Sequence, residues 1–286
     1  MSRKLIVEFT KMDGAGNDFI VVDNRFYNFT DKELSDLARA LCPRRSGIGA
    51  DGILAFATPT GNGVDFRMRY VNADGSVGTM CGNGARCLAR YARHAGMAAT
   101  EMRIETDAGA YEVAVPEEDD ASVRLFVPLP RHWRARQDLA GTLPEAIASV
   151  HYLWTGTEHV VCFVGDVQMA RVSMWGRSIR QDDRLAPEGA NVNFVQVLSK
   201  GTSGAPAELR VRTYEKGVEA ETLACGTGAL ASTLAAHFLG KTTAGEARIH
   251  MPGGILGVGF EGQGTRIARL WLDGPATTVY RGTVAV

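Results

Sequence analysis

Along most of this chain the hydrophobic positions recur with a period of two. Phe66, Met68 and Tyr70 alternate with Arg67 and Arg69, and Val123, Leu125 and Val127 alternate with Arg124 and Phe126. Successive side chains of a strand point to opposite faces, so this pattern predicts many short strands. Four segments break it. Thr30 and Glu33 have capping-box spacing ahead of Leu34, Leu37, Ala38 and Leu41, which repeat at helical spacing, and Thr142, Pro144 and Glu145 predict a second helix start. After Cys81, a helix is predicted with Ala85, Leu88, Ala89 and Ala92 on one face and Gly96 at its end. After Cys225, another carries Leu230, Leu234 and Phe238 and closes at Gly240.

These last two segments match each other. Each reads Cys-Gly-x-Gly-Ala, each terminal glycine falls 15 residues beyond its cysteine, and the cysteines lie 144 residues apart in a chain of 286. Motif, helix length and offset together predict a duplicated fold of two halves. The second helix is apolar on nearly every face, which predicts burial among the strands of its own half, and the first is expected to be similar. The Pro-containing stretch from Val127 through Pro128, Pro130 and Arg131 puts the boundary near residue 125. The predicted domains are 1–125 and 126–273, with a C-terminal strand in 274–286 returning to the first.

Composition agrees with a β-rich α+β protein: 33 glycines imply many tight turns, and 45% apolar with 22% charged residues is ordinary for a folded enzyme. With 31 basic against 32 acidic residues and no basic run, there is no footprint for nucleic acid or membrane, so the expected partner is a small molecule. No apolar stretch is long enough for a membrane helix or a signal peptide, and cytoplasmic location is the default expectation. The five cysteines, Cys42, Cys81, Cys87, Cys162 and Cys225, are odd in number and form no CxxC pair. Free thiols are therefore expected rather than a disulfide framework or structural zinc.

Each Cys-Gly-x-Gly opens a helix, where unpaired backbone N–H groups and the positive end of the dipole favour negative charge. Such positions lower a thiol pKa from about 8.5 to roughly 3.5–7.5, so either sulfur is expected to serve as a base near neutral pH. One such cysteine would suggest a nucleophile. Two, one from each half, suggest instead sulfurs presented to opposite sides of a bound molecule, the arrangement that inversion at a carbon requires. Helix N-termini aimed at a carboxylate would stabilise the carbanion, and no pyridoxal or metal motif offers an alternative. The expected cofactor and metal content is none.

Gly14-Ala15-Gly16-Asn17-Asp18-Phe19, Asn72-Ala73-Asp74-Gly75-Ser76, Met80-Cys81-Gly82-Asn83-Gly84-Ala85-Arg86-Cys87 and Glu221-Thr222-Leu223-Ala224-Cys225-Gly226-Thr227-Gly228 closely resemble the diaminopimelate epimerase family. The resemblance runs from about residue 8 to the C-terminus. It implies two pseudo-symmetric β-barrel-like domains, each around a central helix, with the site in the interdomain cleft. It further implies that Cys81 and Cys225 are the acid/base pair, that Gly82, Asn83, Gly226 and Thr227 supply donors to the reacting carboxylate, and that Asn17, Asn72 and Asn191 hold the amino acid. His159 and Glu215 match residues beside the catalytic centre. A homodimer is the assembly it implies.

The chain departs from the family pattern at two places. Gly156-Thr157-Glu158-His159 stands where Gly-Asn-Pro-His is usual, exchanging a substrate-binding amide for a hydroxyl and adding an acid. Glu215-Lys216-Gly217 stands where Glu-Arg-Gly is usual. Lysine lacks the two-pronged guanidinium geometry expected to grip the distal carboxylate. A cysteine-pair racemase acting on another amino acid is therefore the competing expectation. The pattern Gly47-Ile48-Gly49-Ala50-Asp51-Gly52 leads into a strand, not a helix, and is read as a turn rather than a dinucleotide site. Cys42, Cys87 and Cys162, within apolar patterns, are expected to be buried core residues.

Overall fold

The computed structural model describes residues 5–97, 99–118 and 122–286. The chain divides into two compact units. One reaches to Phe126 and is completed by Gly274–Val286; the other is Val127–Asp273.

The first unit opens with β1 (Ile6–Gly14) and β2 (Asn17–Asp23), joined through Ala15 and Gly16, both at positive φ. That pair of left-handed residues is the two-residue turn that matches strand twist. Next come α1 (Asn24–Tyr27), α2 (Asp31–Leu41), β3 (Gly52–Ala57), β4 (Phe66–Asn72), β5 (Val77–Gly78) and α3 (Gly82–His94). Strands β6 (Glu101–Thr106), β7 (Gly109–Ala114) and β8 (Val123–Phe126) follow. β1 pairs antiparallel with β2, β2 parallel with β3, β3 antiparallel with β4, and β4 parallel with β6; β7 and β8 continue antiparallel, and β5 adds to β4. The capping box forms as the spacing predicts, Thr30 and Glu33 each satisfying the other's backbone N–H. Leu34, Leu37, Ala38 and Leu41 bury α2 against Ile20, Val22, Ile53 and Ala55. Helix α3 touches β1, β2, β3, β4, β6 and β8 and is the central helix of its unit.

The second unit repeats this plan. It runs β9 (Arg131–Arg134), β10 (Val150–Trp154), β11 (Glu158–Phe163), α4 (Val172–Arg180), β12 (Asn191–Ser199), β13 (Ala207–Glu215), β14 (Ala220–Thr222), α5 (Gly226–Phe238), β15 (Glu246–Met251), β16 (Gly254–Gln263) and β17 (Arg266–Gly274). β10 and β11 are antiparallel, β11 and β12 parallel, β12 and β13 antiparallel, β13 and β15 parallel, and β14 adds to β13. Each connection has its counterpart in the first unit, with α4 standing where α2 stands and α5 where α3 stands. The last strand, β18 (Thr277–Ala285), pairs antiparallel with β1.

The two central helices agree in detail. Both have 13 residues and a cysteine N-cap in extended conformation, at φ −136° for Cys81 and −135° for Cys225. Both end in a Schellman motif: Met97 N–H donates to Ala92 O and Gly96 N–H to Arg93 O, as Lys241 does to Ala236 and Gly240 to His237.

Three expectations are corrected. No helix forms at Thr142–Glu145, only a turn closed by Ile147 N–H on Pro144 O. Leu143 and Ile147 there dock onto the apolar cluster under α4, and β10 begins too soon for a helix to extend. Helix α4, which the periodicity did not predict, buries only Val172, Gly176 and Ile179. Finally, α3 is not the apolar rod that α5 is, because Arg86 and Arg90 are fully buried on it.

Leu234 is wholly buried in α5. Leu234→Ala is expected to lower unfolding free energy by about 2–5 kcal/mol. Loss of the α2 cap in Thr30→Ala should cost about 1 kcal/mol. Denaturant midpoints of the two variants check the ranking, and a larger loss in Thr30→Ala would contradict a core centred on the helix.

Candidate active site

In the first unit the half-buried Cys81 caps α3, whose first turn is seated by a chain of polar contacts. Asn83 Nδ2 donates to Asn17 Oδ1 at 2.6 Å, and Arg86 Nη2 donates to Asn83 Oδ1 at 2.8 Å. Asn17 Nδ2 donates in turn to Asp51 Oδ2 at 3.0 Å, and Arg44 bridges Asp51 and Asp18 at 2.7 and 2.6 Å. Buried Lys11 also pairs with Asp18. Desolvation works against the Asp18 carboxylate, yet hydrogen bonds from Arg44 and Lys11 prevail and hold its pKa at about 2. Asp51, Arg44 and Arg86 were not singled out from the sequence. Asn17 and Asn83 are thus brought together at the start of α3, with Gly82 as its first residue. Asn72 lies across from Gly52, next to the Asp51 that Asn17 bonds, and has partners of its own, its Oδ1 accepting from Tyr70 Oη at 2.6 Å and its Nδ2 donating to Ser76 Oγ at 3.0 Å.

In the second unit three strand ends converge beside Cys225. His159 of β11 lies opposite Asn191 of β12, and Glu215 closes β13. His159 is fully buried. Asn193 Nδ2 approaches its Nδ1 at 3.1 Å while Asn193 Oδ1 accepts from Thr213 Oγ1 at 2.9 Å. An amide donor toward Nδ1 requires an unprotonated nitrogen there, and burial accordingly pushes the imidazole pKa down to about 3, aided by nearby Lys216. Asn191 Oδ1 accepts from Lys216 N–H at 2.8 Å. Thr155 Oγ1 donates to Thr227 O at 2.8 Å, which ties the β10–β11 turn to the first turn of α5, and Thr227 Oγ1 lies 3.5 Å from Cys225 Sγ. Asn193 is a further site residue missed from sequence. Its signal was the apolar strand Val192 to Val195 interrupted by one amide.

The thiol at Cys225 departs from the expectation for a helix start. Burial pushes its pKa up to about 12, and the Glu215 carboxylate adds to the rise. The Thr227 hydroxyl and the Gly228 and Thr227 N–H groups offset only part of it. Desolvation of an anion outweighs the helix terminus here, so at neutral pH this sulfur rests as a thiol. Burial likewise raises Glu215. Cys42, Cys87 and Cys162 are buried, with burial raising all three. Among the described residues, no three His, Cys, Asp or Glu side chains cluster as a metal site, and no helix is long and apolar enough to cross a membrane.

Two units of one plan, each built around a central helix, give this chain the two-domain fold of a class whose solved members include a probable proline racemase and a hydroxyproline epimerase. Solved structures share that fold across the whole chain. A phenazine biosynthesis protein of the PhzF family from Bacillus anthracis aligns over 99% of this chain and 100% of its own, with TM-score 0.73 and 16% identity. A hydroxyproline epimerase from Agrobacterium vitis aligns over 100% and 93%, with TM-score 0.63 and 16% identity. Sequence narrows the class. The diaminopimelate epimerase family model matches residues 9–126 and 151–279. The diaminopimelate epimerase of Chlorobaculum tepidum is 41% identical over 96% of this chain and all of its own, and that of Methanocella arvoryzae 40% over 98% and 97%. The chain belongs to the diaminopimelate epimerase family.

The imidazole of His159 has a folded pKa near 3 against 6.5 in the unfolded chain. Because the depressed group must stay neutral to remain folded, its contribution to stability is complete above about pH 6.5 and is lost as pH falls toward 3. His159→Gln is expected to flatten this part of the stability profile, measured by denaturant unfolding between pH 7 and 4. An imidazole that titrates near 6.5 by NMR in the native protein would contradict the assignment.

Proposed function

We propose that this protein interconverts the LL and meso forms of diaminopimelate, with Cys81 and Cys225 as acid and base on opposite faces of one Cα. The observation that carries the reading is the repetition of one device: a cysteine N-capping the central helix of each unit, in a chain of this family. One sulfur, as thiolate, takes the Cα proton; the other, as thiol, delivers a proton to the opposite face. The two exchange protonation states with each turnover, and Cys225 rests in the acid form. Gly82 and Asn83 in one unit and Gly226 and Thr227 in the other bring helix-start N–H donors to the α-carboxylate, where they stabilise the charge that develops as the proton leaves. Asn17, Asn72 and Asn191 hold the amino acid, His159 and Glu215 stand beside the reacting centre, and Thr157 and Lys216 serve the distal end.

The product feeds lysine and peptidoglycan synthesis. The competing racemase of another amino acid is disfavoured, since the full-length relatives near 40% identity are diaminopimelate epimerases. The same reading makes the protein cytoplasmic and a homodimer, and light scattering on the purified protein checks the dimer.

Proton NMR with LL-diaminopimelate in D₂O tests the mechanism. Wild type is expected to introduce deuterium at Cα as meso product appears. Cys81→Ala and Cys225→Ala should each lose epimerisation by about 10²–10⁴-fold or more. Full epimerisation by either variant would sink the two-base reading, and an inert wild type would sink the substrate.

A further inference from the structure

The positions at which this chain departs from its family pattern, 157, 158 and 216, are bonded to one another. Glu158 Oε2 accepts from Lys216 Nζ and, at 3.0 Å, from the Thr157 hydroxyl. The two charged side chains are similarly half-covered, 23% and 25% exposed. Asn191 fixes the Lys216 backbone at 2.8 Å. A Cβ on Gly156 would stand 3.4 Å from Thr227 Cγ2, so the turn leading into Glu158 rests on the start of α5. The pair therefore belongs to the cluster of strand ends beside Cys225, and it is electrically neutral where a lone cation would be positive.

We propose that Glu158 is a specificity-determining residue, which with Lys216 forms a neutral pair that selects a substrate whose far end carries both a carboxylate and an ammonium. This rests on the diaminopimelate reading above. A lone lysine would accept any distal carboxylate. With Glu158 already on Lys216, a ligand bringing only a carboxylate must strip the cation from Glu158 and leave that acid unpaired in a half-covered site, which is costly. A zwitterionic end avoids the cost by exchanging partners: its carboxylate takes Lys216, its ammonium takes Glu158, and no charge is stranded. Discrimination thus comes from a built-in penalty against the wrong ligand as well as from attraction to the right one. Thr157 contributes by holding the Glu158 carboxylate in place while the pair is open.

Two probes divide the far end of diaminopimelate into its charges: 2-aminopimelate keeps the distal carboxylate and lacks the ammonium, and L-lysine keeps the ammonium and lacks the carboxylate. KM for diaminopimelate and Ki for both competitors are measured on wild type, Glu158→Gln and Lys216→Met. Glu158→Gln is expected to raise KM while 2-aminopimelate inhibits as well or better, so that wild-type discrimination between them shrinks about tenfold, the worth of one charge-assisted hydrogen bond. In Lys216→Met the surviving acid should make L-lysine the better of the two competitors. Wild-type turnover of diaminopimelate together with unchanged discrimination in Glu158→Gln, or with no gain for L-lysine in Lys216→Met, overturns the pair's role alone. A wild type that leaves diaminopimelate untouched overturns the substrate reading and this proposal with it.

Discussion

Everything in each unit depends on how closely the first turn of its central helix is pressed against the strands. A Cβ at Gly228 would strike Asn193 Oδ1 and stand 3.2 Å from Cys225 Sγ, and one at Gly84 would come within 2.8 Å of Leu54 Cδ2. Only glycine three residues after the cysteine allows that approach. The approach in turn fixes where the sulfur and the open N–H groups of the helix end can lie. A helix held this tightly must be buried, and strands on both sides of it must carry apolar residues on alternate positions. The motif Cys-Gly-x-Gly is thus a packing requirement as much as a chemical one.

The two units meet this shared constraint with different polar solutions. The first fixes its helix start with charge, through the run of contacts from Arg44 and Asp51 to Asn17, Asn83 and Arg86. The second uses neutral groups, with His159, Asn193 and Thr213 satisfying one another beneath α5. Buried arginines can stay on α3 because their partners are at hand, whereas the polar side chains that α5 fully buries are only the small hydroxyls of Ser232 and Thr233. One backbone plan therefore presents its two sulfurs in unlike surroundings, Cys81 half-buried and Cys225 buried.

Much of this was legible in the sequence because strand alternation, the Thr30 capping box and the paired cysteine helices are local patterns. The duplication carried more information than periodicity alone. Helix α4 buries too few apolar residues to declare itself, but it occupies the place that α2 holds in the other unit, and aligning the halves on their cysteines would have located it. Thr142, Pro144 and Glu145 misled because a capping signature states only that a helix could begin. The nearby apolar side chains were drawn into a tertiary cluster instead. What no local pattern could convey was pairing at long range. Glu158 and Lys216 are 58 residues apart, and each stood out as an unexplained change until the fold joined them. Asn193 was hidden in the same way, since its role exists only once β11, β12 and α5 are packed together.

The raised pKa of Cys225 alters how the proposed chemistry must be understood. A thiol near 12 is rarely ionised on its own at neutral pH, so the helix terminus cannot be credited with supplying a ready thiolate there. The same desolvation that disfavours the thiolate makes it a stronger base whenever it exists, and the Cα–H of an amino acid is so weakly acidic that base strength is needed. A single buried cysteine would lose through scarcity what it gained in strength. A pair escapes that loss, because a proton delivered from one sulfur leaves that sulfur as the thiolate while the other gains the proton taken from substrate. The single anion of the pair is passed between the sulfurs by turnover, so Cys225 receives it without titrating. On this account burial of Cys225 and the need for a second cysteine are one design, and the duplication of the fold provides the second sulfur.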